Sequence, residues 1–299
     1  MNWAVAHRIA GIAAAQAHRD LGIDRTRYVH VYQALKSAEI VAMAKPMPRL
    51  FGIYFSPRDK GPAVLLNANL DVVTQRHTAA HELGHHCLRH STAADEELHS
   101  SLRWGNGQWP EEEKTAEAFA AWFLMPRPAV LAGLERICHE GRPTSPEHAY
   151  QLARFLGTSY AGTVRHLQHL RLLEAGVASQ WAKISPAALR SSLAGGATLP
   201  ADAHVHVITP GTHLQQVHAD AGDVLVVRIE GAGFVSLPKG LARWTGTTYA
   251  ADEIEAAVVT DEFHGATLLE VSAASQGEPV RLTVSRDSPR VGVDDVWPD

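Results

Sequence analysis

Cysteine is almost absent. Cys87 and Cys138 are the only two in 299 residues, which excludes a disulfide framework and a cysteine-rich zinc module and fits a reducing compartment. An excess of basic charge is also missing. The formal net charge of -5 leaves no whole-chain footprint for nucleic acid or an anionic membrane, although a local basic face can still exist. No stretch approaches the ~18 apolar residues that span a bilayer. The opening "MNWAVAHRIAGIAAAQAHRD" has no basic n-region, and His7-Arg8 interrupts its apolar run, so it does not read as a signal peptide. Internal repeats and low-complexity tracts are lacking too. The expectation is a soluble cytoplasmic protein with no membrane partner.

What is present is enough apolar material, 45% of the chain, for two or three units of ordinary domain size. Val5, Ile9, Ile12 and Gln16 recur at helical spacing and predict an amphipathic first helix over residues 3 to 20. A second helix is expected around Tyr28 to Ala44, ending at "KPMPR". "LFGIYF" and "AVLLNANL" read as two short strands joined by the turn "SPRDKGP". After the polar loop "STAADEELHSSLRWGNGQW" a helix begins at Pro110, with "EEE" at the positive end of its dipole.

The densest chemistry lies in "QRHTAAHELGHHCLRH", residues 75 to 90, with five histidines in sixteen positions. A chance H-E-x-x-H arises in roughly one chain in fifteen of this composition, so context has to decide its meaning. On a helix, His81 and His85 lie one turn apart on one face and can offer ring nitrogens to a single ion. Glu82 beside them supplies a carboxylate able to take a proton from a water activated by zinc, which is the chemistry of a metallohydrolase. A catalytic zinc site needs a third protein ligand and an open position. His90 is rejected as the main candidate because a continuing helix would turn it about 140° from His85, and His86 points off the ligand face. Glu113 and Glu117, one turn apart in "EEEKTAEAFAAWFLMP", are the better pair: one to bind zinc, the other to orient a ligand imidazole. Ala116, Ala120 and Ala121 would let the two helices approach closely.

Together "TAAHELGHHCLRH" and "EKTAEAFAAWFLMP" resemble the ImmA/IrrE family of zinc-dependent metallopeptidases, which carry A-H-E-L-G-H and then E-x-x-A-N-x-F-A-x-x-L-L-M-P. The resemblance covers roughly residues 1 to 172. It implies a zincin-like α+β domain, zinc as the cofactor, His81, His85 and Glu113 as its ligands, and Glu82 as the general base. One departure stands out: the family commonly has Asn or Asp where this chain has Glu117, so Glu117 competes with Glu113 for the ion. Members of the family are intracellular proteases that cut helix-turn-helix transcriptional repressors and so switch on phage, mobile-element or stress genes. Such a repressor is therefore the implied partner. The substrate is expected along the edge of the strand pair before the metal helix, with "AVLLNANL" as that edge.

From Thr144 the pattern changes. "TSPEHAYQLARFLGTSYAGTVRHLQHLRLL" reads as a helix-turn-helix with a capping box of Thr144 and Glu147. Arg142, Arg154, Arg165 and Arg171 against Glu147, over residues 142 to 171, make direct DNA binding conceivable, although ordinary packing is the expected role. Beyond the linker "ATLPADA" the period falls to two in "HVHVI", "DVLVVRI", "ATLLEVSA" and "VRLTVS", which predicts an antiparallel, sandwich-like β domain. Its segment "RWTGTTY" and the strands around it faintly resemble the chagasin type of immunoglobulin-like sandwich, a likeness that fixes no function. The expected division is a zinc peptidase domain over 1–141, a helical extension and linker over 142–198, and a β-sandwich-like regulatory or docking domain over 199–299. The remaining histidines, His99, His139, His166 and His169 among them, are expected to be solvated or satisfied in a core. The rival reading is a non-proteolytic regulator that binds DNA or a partner, with zinc serving only to hold the N-terminal part together.

Overall fold

Asp71 opens the helix on which the site is built. Its side chain accepts a hydrogen bond from the Thr74 amide at 3.0 Å, and the helix runs Val72–Cys87. The computed structural model describes residues 1–96, 109–138, 141–244, 255–273 and 278–286. The described helices are α1 (Trp3–Asp20), α2 (Val31–Ser37), α3 (Val72–Cys87), α4 (Glu111–Leu124), α5 (Arg127–Ile137), α6 (Pro146–Leu156), α7 (Tyr160–His169), α8 (Ala175–Trp181) and α9 (Pro186–Leu193). The chain is mixed α+β and divides into two compact units, one formed by Met1–Val130 and Leu156–Gly162, the other by Leu131–Phe155 and Thr163–Ser288.

The first unit holds a four-stranded sheet of β1 (Val41–Lys45), β2 (Leu50–Phe55), β3 (Ala63–Asn67) and β4 (Ala93–Glu96) in the order β1-β3-β2-β4. β3 runs parallel to β1 and antiparallel to β2, and β2 is antiparallel to β4. The expected helix over 28–44 is therefore corrected. Only Val31–Ser37 is helical; Glu39 takes a left-handed φ of 57° and Val41 starts β1, because the backbone of "VAMAK" finds ladder partners on β3. "AVLLNANL" is not an edge either. β3 lies between β1 and β2, so its backbone groups are already paired, and among the described residues the edges of the sheet are β1 and β4.

The first helix forms as expected but faces the other way. Ala6, Ala10, Ala14 and Ala17 are buried, while Val5, Ile9 and Ile12 are exposed. α1 packs against α4, and Gly11 brings its backbone up to the Trp122 ring, where a Cβ would sit at 3.5 Å. Methyl groups fit that close approach and branched side chains do not. Within the same unit the buried Arg76 of α3 donates to the carbonyls of Val29 at 3.0 Å and Gly157 at 3.1 Å and lies 3.8 Å from the centre of the Tyr28 ring. Gly157 has φ 65°, and a Cβ there would fall 2.5 Å from Tyr28, so the turn after α6 accepts only glycine.

In the second unit, α6 is capped by Ser145, whose Oγ accepts the His148 amide at 3.4 Å; this replaces the expected Thr144 cap. Its strands are β5 (Val205–Ile208), β6 (Gln216–His218), β7 (Val224–Val227), β8 (Ala232–Phe234), β9 (Leu241–Arg243), β10 (Ala256–Val259), β11 (Ala266–Ala273) and β12 (Val280–Ser285). They form two four-stranded sheets, β5-β7-β10-β9 and β6-β12-β11-β8. Leu225, Val227 and Val259 of one sheet share a core with Leu269, Leu282 and Val284 of the other, which is sandwich packing. The strands are not all antiparallel as expected, because β5 runs parallel to β7 and β6 parallel to β12. Helices and strands of this unit are tied by polar contacts: the Val205 amide donates to the Tyr150 hydroxyl at 3.1 Å, Arg190 to the carbonyls of Ala201 and Ala203 at 2.7 and 2.5 Å, and Arg228 to the Leu193 carbonyl at 2.8 Å. Residues 245–249 of "RWTGTTY" lie outside the described residues.

Candidate metal centre

The center is made where α3 and α4 come closest. Gly84 allows it: a Cβ there would stand 3.2 Å from the Ala116 Cα and 3.0 Å from the Phe119 ring. Ala116 and Ala120 are fully buried. Across this contact the His81 Nε2 lies 3.0 Å from the His85 Nε2 and 3.2 Å from Glu113 Oε2, and the His85 Nε2 lies 3.5 Å from Glu113 Oε1. Two atoms bound about 2.0–2.1 Å from one tetrahedral ion stand roughly 3.3–3.4 Å apart, so the three distances bracket what a shared ion requires. Among the described residues this is the group of His, Cys, Asp and Glu able to hold a metal.

The electrostatics suit a cation as well. Burial opposes the ionisation of Glu113, but hydrogen bonds and charge from His81 and His85 outweigh it and hold the carboxyl well below the usual range. Burial lowers the His85 pKa against the pull of Glu113, which favours the neutral imidazole. An ionised carboxylate and a neutral ring are the forms that bind metal.

Behind these atoms stands a set of supporting contacts. Glu117 is buried and takes the Nε2–H of His77 at 2.9 Å, while its Oε2 lies 3.5 Å from the His81 Nδ1. Burial again opposes its ionisation, and His77 followed by His81 overcomes that cost and holds it charged. Glu117 therefore faces the far side of His81, and Glu113 the convergent side. His85 is backed by His90, with their Nδ1 atoms 3.0 Å apart, and the His90 Nε2 lies 3.4 Å from Thr115 Oγ1. Thr115 donates to the Glu111 and Glu112 carbonyls at 3.0 and 2.9 Å. With His85 Nε2 as a lone pair, hydrogens run one way along this chain, from His85 to His90 to Thr115 to the first turn of α4.

His90 reaches this place because the helix stops. α3 ends at Cys87, Arg89 takes φ 59°, and the His90 amide returns to the His85 carbonyl at 2.9 Å, a helix-ending turn. The premise of a continuing helix, on which His90 is rejected as the main candidate, does not hold. His86 turns to the Tyr54 hydroxyl, 3.2 Å from its Nδ1. His77 is the residue the motif reading missed. Its signal was available, since His77, His81 and His85 follow one another at four-residue steps on one helix face.

Glu82 lies next to the cluster in sequence, 1% exposed, with its carboxylate against β2. A Cβ on Gly52 would fall 2.5 Å from Glu82 Oε1 and 2.7 Å from the Thr78 methyl. His166 is buried and His169 exposed, while His99 and His139 lie outside the described residues.

Residues 40–167 match the family model described as the IrrE N-terminal-like domain, a family of peptidases. That segment is similar to this family. It includes α3, α4 and every residue of the cluster. The family's activity calls for a metal, which His81, His85 and Glu113 could bind. No curated protein matches the chain, and among the described residues no helix is long and apolar enough to cross a membrane.

Proposed function

We propose that the chain is a zinc-dependent endopeptidase whose ligands are His81, His85 and Glu113 and whose general base is Glu82. The convergence of two imidazole nitrogens and one carboxylate beside a buried glutamate carries this reading. Zinc, when bound, supplies a Lewis acid that polarises a peptide carbonyl and makes water more acidic. Glu82 accepts the water's proton and returns it to the leaving amine. Little solvent reaches Glu82 to compete for that proton. Glu117 and His90 hold the two ligand rings in orientation by their Nδ1 atoms. The substrate backbone adds to a free sheet edge; β4 is the edge paired to β2, the strand whose Gly52 touches Glu82. The resemblance to ImmA/IrrE proteins supports a helix-turn-helix transcriptional repressor as the protein cut, with derepression of phage, mobile-element or stress genes as the consequence.

Zinc-loaded protein incubated with such a repressor should yield two fragments, read by mass spectrometry. Glu82→Gln should retain one zinc per chain and yield none, because an amide cannot take the proton. Cleavage unchanged in that variant removes Glu82 from the mechanism. Zinc bound in full stoichiometry with no cleavage of any repressor would favour the regulator reading.

A further inference from the structure

Among the described residues, β5 and β6 are edge strands, each paired on one side only. Their other sides can be assigned group by group. The amides of Val224 and Arg228 donate to the carbonyls of His204 and Ile208, both at 2.8 Å. The backbone groups of the even-numbered residues of β5 therefore face β7, and those of Val205 and Val207 face away from it. The Val205 amide is taken by the Tyr150 hydroxyl at 3.1 Å, and the Thr209 amide turns to Thr212 Oγ1 at 3.3 Å. Between them, the N–H and C=O of Val207 have no partner among the described residues. On β6 the Thr283 amide donates to the Gln215 carbonyl at 2.8 Å, which turns the backbone groups of Gln216 outward in the same way.

Both open stretches line one cavity of about 70 Å³, closed on its other sides by α5 and α6. A single water needs roughly 10–15 Å³, so this space suits one branched side chain. Phe155 and Val217 give it apolar walls. Arg136 of α5 supplies the cation of the rim: it is exposed, its guanidinium carbon lies 5.5 Å from the centre of the Phe155 ring, and among the described residues it forms no ion pair. The described lining contains no Asp or Glu to neutralise it. Arg154, on the same wall, is engaged within the fold. The rim is fixed, because a Cβ on Gly211 would fall 2.6 Å from the Arg136 carbonyl and the turn Pro210–Thr212 thus sits directly on the end of α5.

We propose that this groove takes an extended, acidic peptide segment of a partner protein, added as a strand to β5 at Val207. A branched aliphatic side chain of that segment enters the cavity, and an acidic one meets Arg136. Strand addition gives the Val207 N–H and C=O the partners that backbone groups require when they leave water. Side chains alternate along the added strand, so its aliphatic residues at every second position share the face towards the cavity. An uncompensated guanidinium at the rim selects for negative charge in the segment. The inference concerns the second unit alone and does not depend on the peptidase reading.

The test is calorimetric titration of the full chain with the acetylated, amidated peptide EVTVE, its intactness checked by mass spectrometry. It should bind saturably at one site per chain, in the millimolar range or tighter. The fully N-methylated peptide keeps the side chains but donates no backbone hydrogen bond, and should not bind. The basic counterpart KVTVK should bind about 10-fold more weakly. Val207→Pro removes the outward N–H and leaves the ladder to β7, a change that edge strands tolerate, and should weaken EVTVE about 10-fold. Arg136→Glu, at an exposed position, should reverse the preference between the acidic and basic peptides. Circular dichroism would establish that both variants are folded. Absence of saturable binding to the folded wild-type chain overturns the proposal, as does equal affinity for the N-methylated peptide or binding unaffected by both substitutions in folded protein. A wild-type dimer in sedimentation that Val207→Pro dissociates would place a second copy at this edge and overturn it as well.

Discussion

Glu113 and Glu117 sit one turn apart on the same helix, and their surroundings separate their roles. Glu113 faces the Nε2 atoms of His81 and His85, whereas Glu117 faces His77 and the far nitrogen of His81. Glu113→Gln should therefore abolish tight zinc binding. Glu117→Gln and His90→Ala should each weaken it by only the ~10- to 100-fold of a lost supporting partner. Competition with a chromogenic chelator measures all three, and the reverse order would exchange the two glutamates. Gly52 provides a separate test. A methyl there must displace the Glu82 carboxylate, the far end of a flexible side chain, while leaving the ligands alone. Gly52→Ala should keep zinc and fold but lose about 100-fold in kcat, because a shift near 1 Å in a reacting group costs that much. Unimpaired turnover would show that the base tolerates displacement.

At the scale of elements, α1 and α4 meet through alanines and one buried imidazole. His18 donates from Nε2 to the Phe123 carbonyl at 2.9 Å and stacks on the Phe123 ring. Burial, with a smaller contribution from Arg25, lowers its pKa from 6.5 to about 4, although the bond to Phe123 pulls the other way. Between those two values the unfolded chain binds more protons than the folded one, so stability falls as the pH falls. The contribution is complete above pH 6.5 and declines towards pH 4 by about 3 kcal/mol. His18→Gln keeps an N–H donor but does not titrate. Urea unfolding from pH 7 to 4 should show a shallower acid decline in this variant, and the difference from wild type isolates His18 from other histidines whose pKa is lowered, such as His204. Identical slopes would mean that His18 is not held neutral by the fold. The same packing explains the reversed face of α1: helical spacing identified the large apolar residues, but the small ones permitted the closest approach.

At the scale of the whole molecule, Leu131–Phe155 and the helical chain from Thr163 belong to one compact unit with the β strands after them. Ending the chain at Gly195 would remove the Ala201 and Ala203 carbonyls from Arg190, the Val205 amide from Tyr150, and the Arg228 guanidinium from Leu193. A buried arginine left without acceptors is costly. Hydrogen exchange on the 1–195 fragment should therefore show lost protection in α6 and α9, with α3 and the sheet of the first unit retaining theirs. Wild-type protection in α9 would show that these helices fold without the strands.

The sequence by itself determined what depends on local order. The amide-capping Asp71 and the four-residue steps of His77, His81 and His85 are covalent spacings that any helix converts into one face, and the acidic turn at Glu111–Glu113 follows the same logic. β2 and β3 were legible because alternating or continuous apolar runs end at turn residues. The tertiary structure decided everything that required a partner. Whether "VAMAK" became helix or strand depended on β3 offering a ladder, and whether β3 was an edge depended on β1 arriving. His90 returned to His85 only because the chain turned at Arg89. Two strand pairs in the second unit became parallel through connections that no local period records. Propensity acts over a few neighbouring residues, whereas strand order, register and the facing of a helix are set by burial and hydrogen-bond satisfaction between segments far apart in the chain.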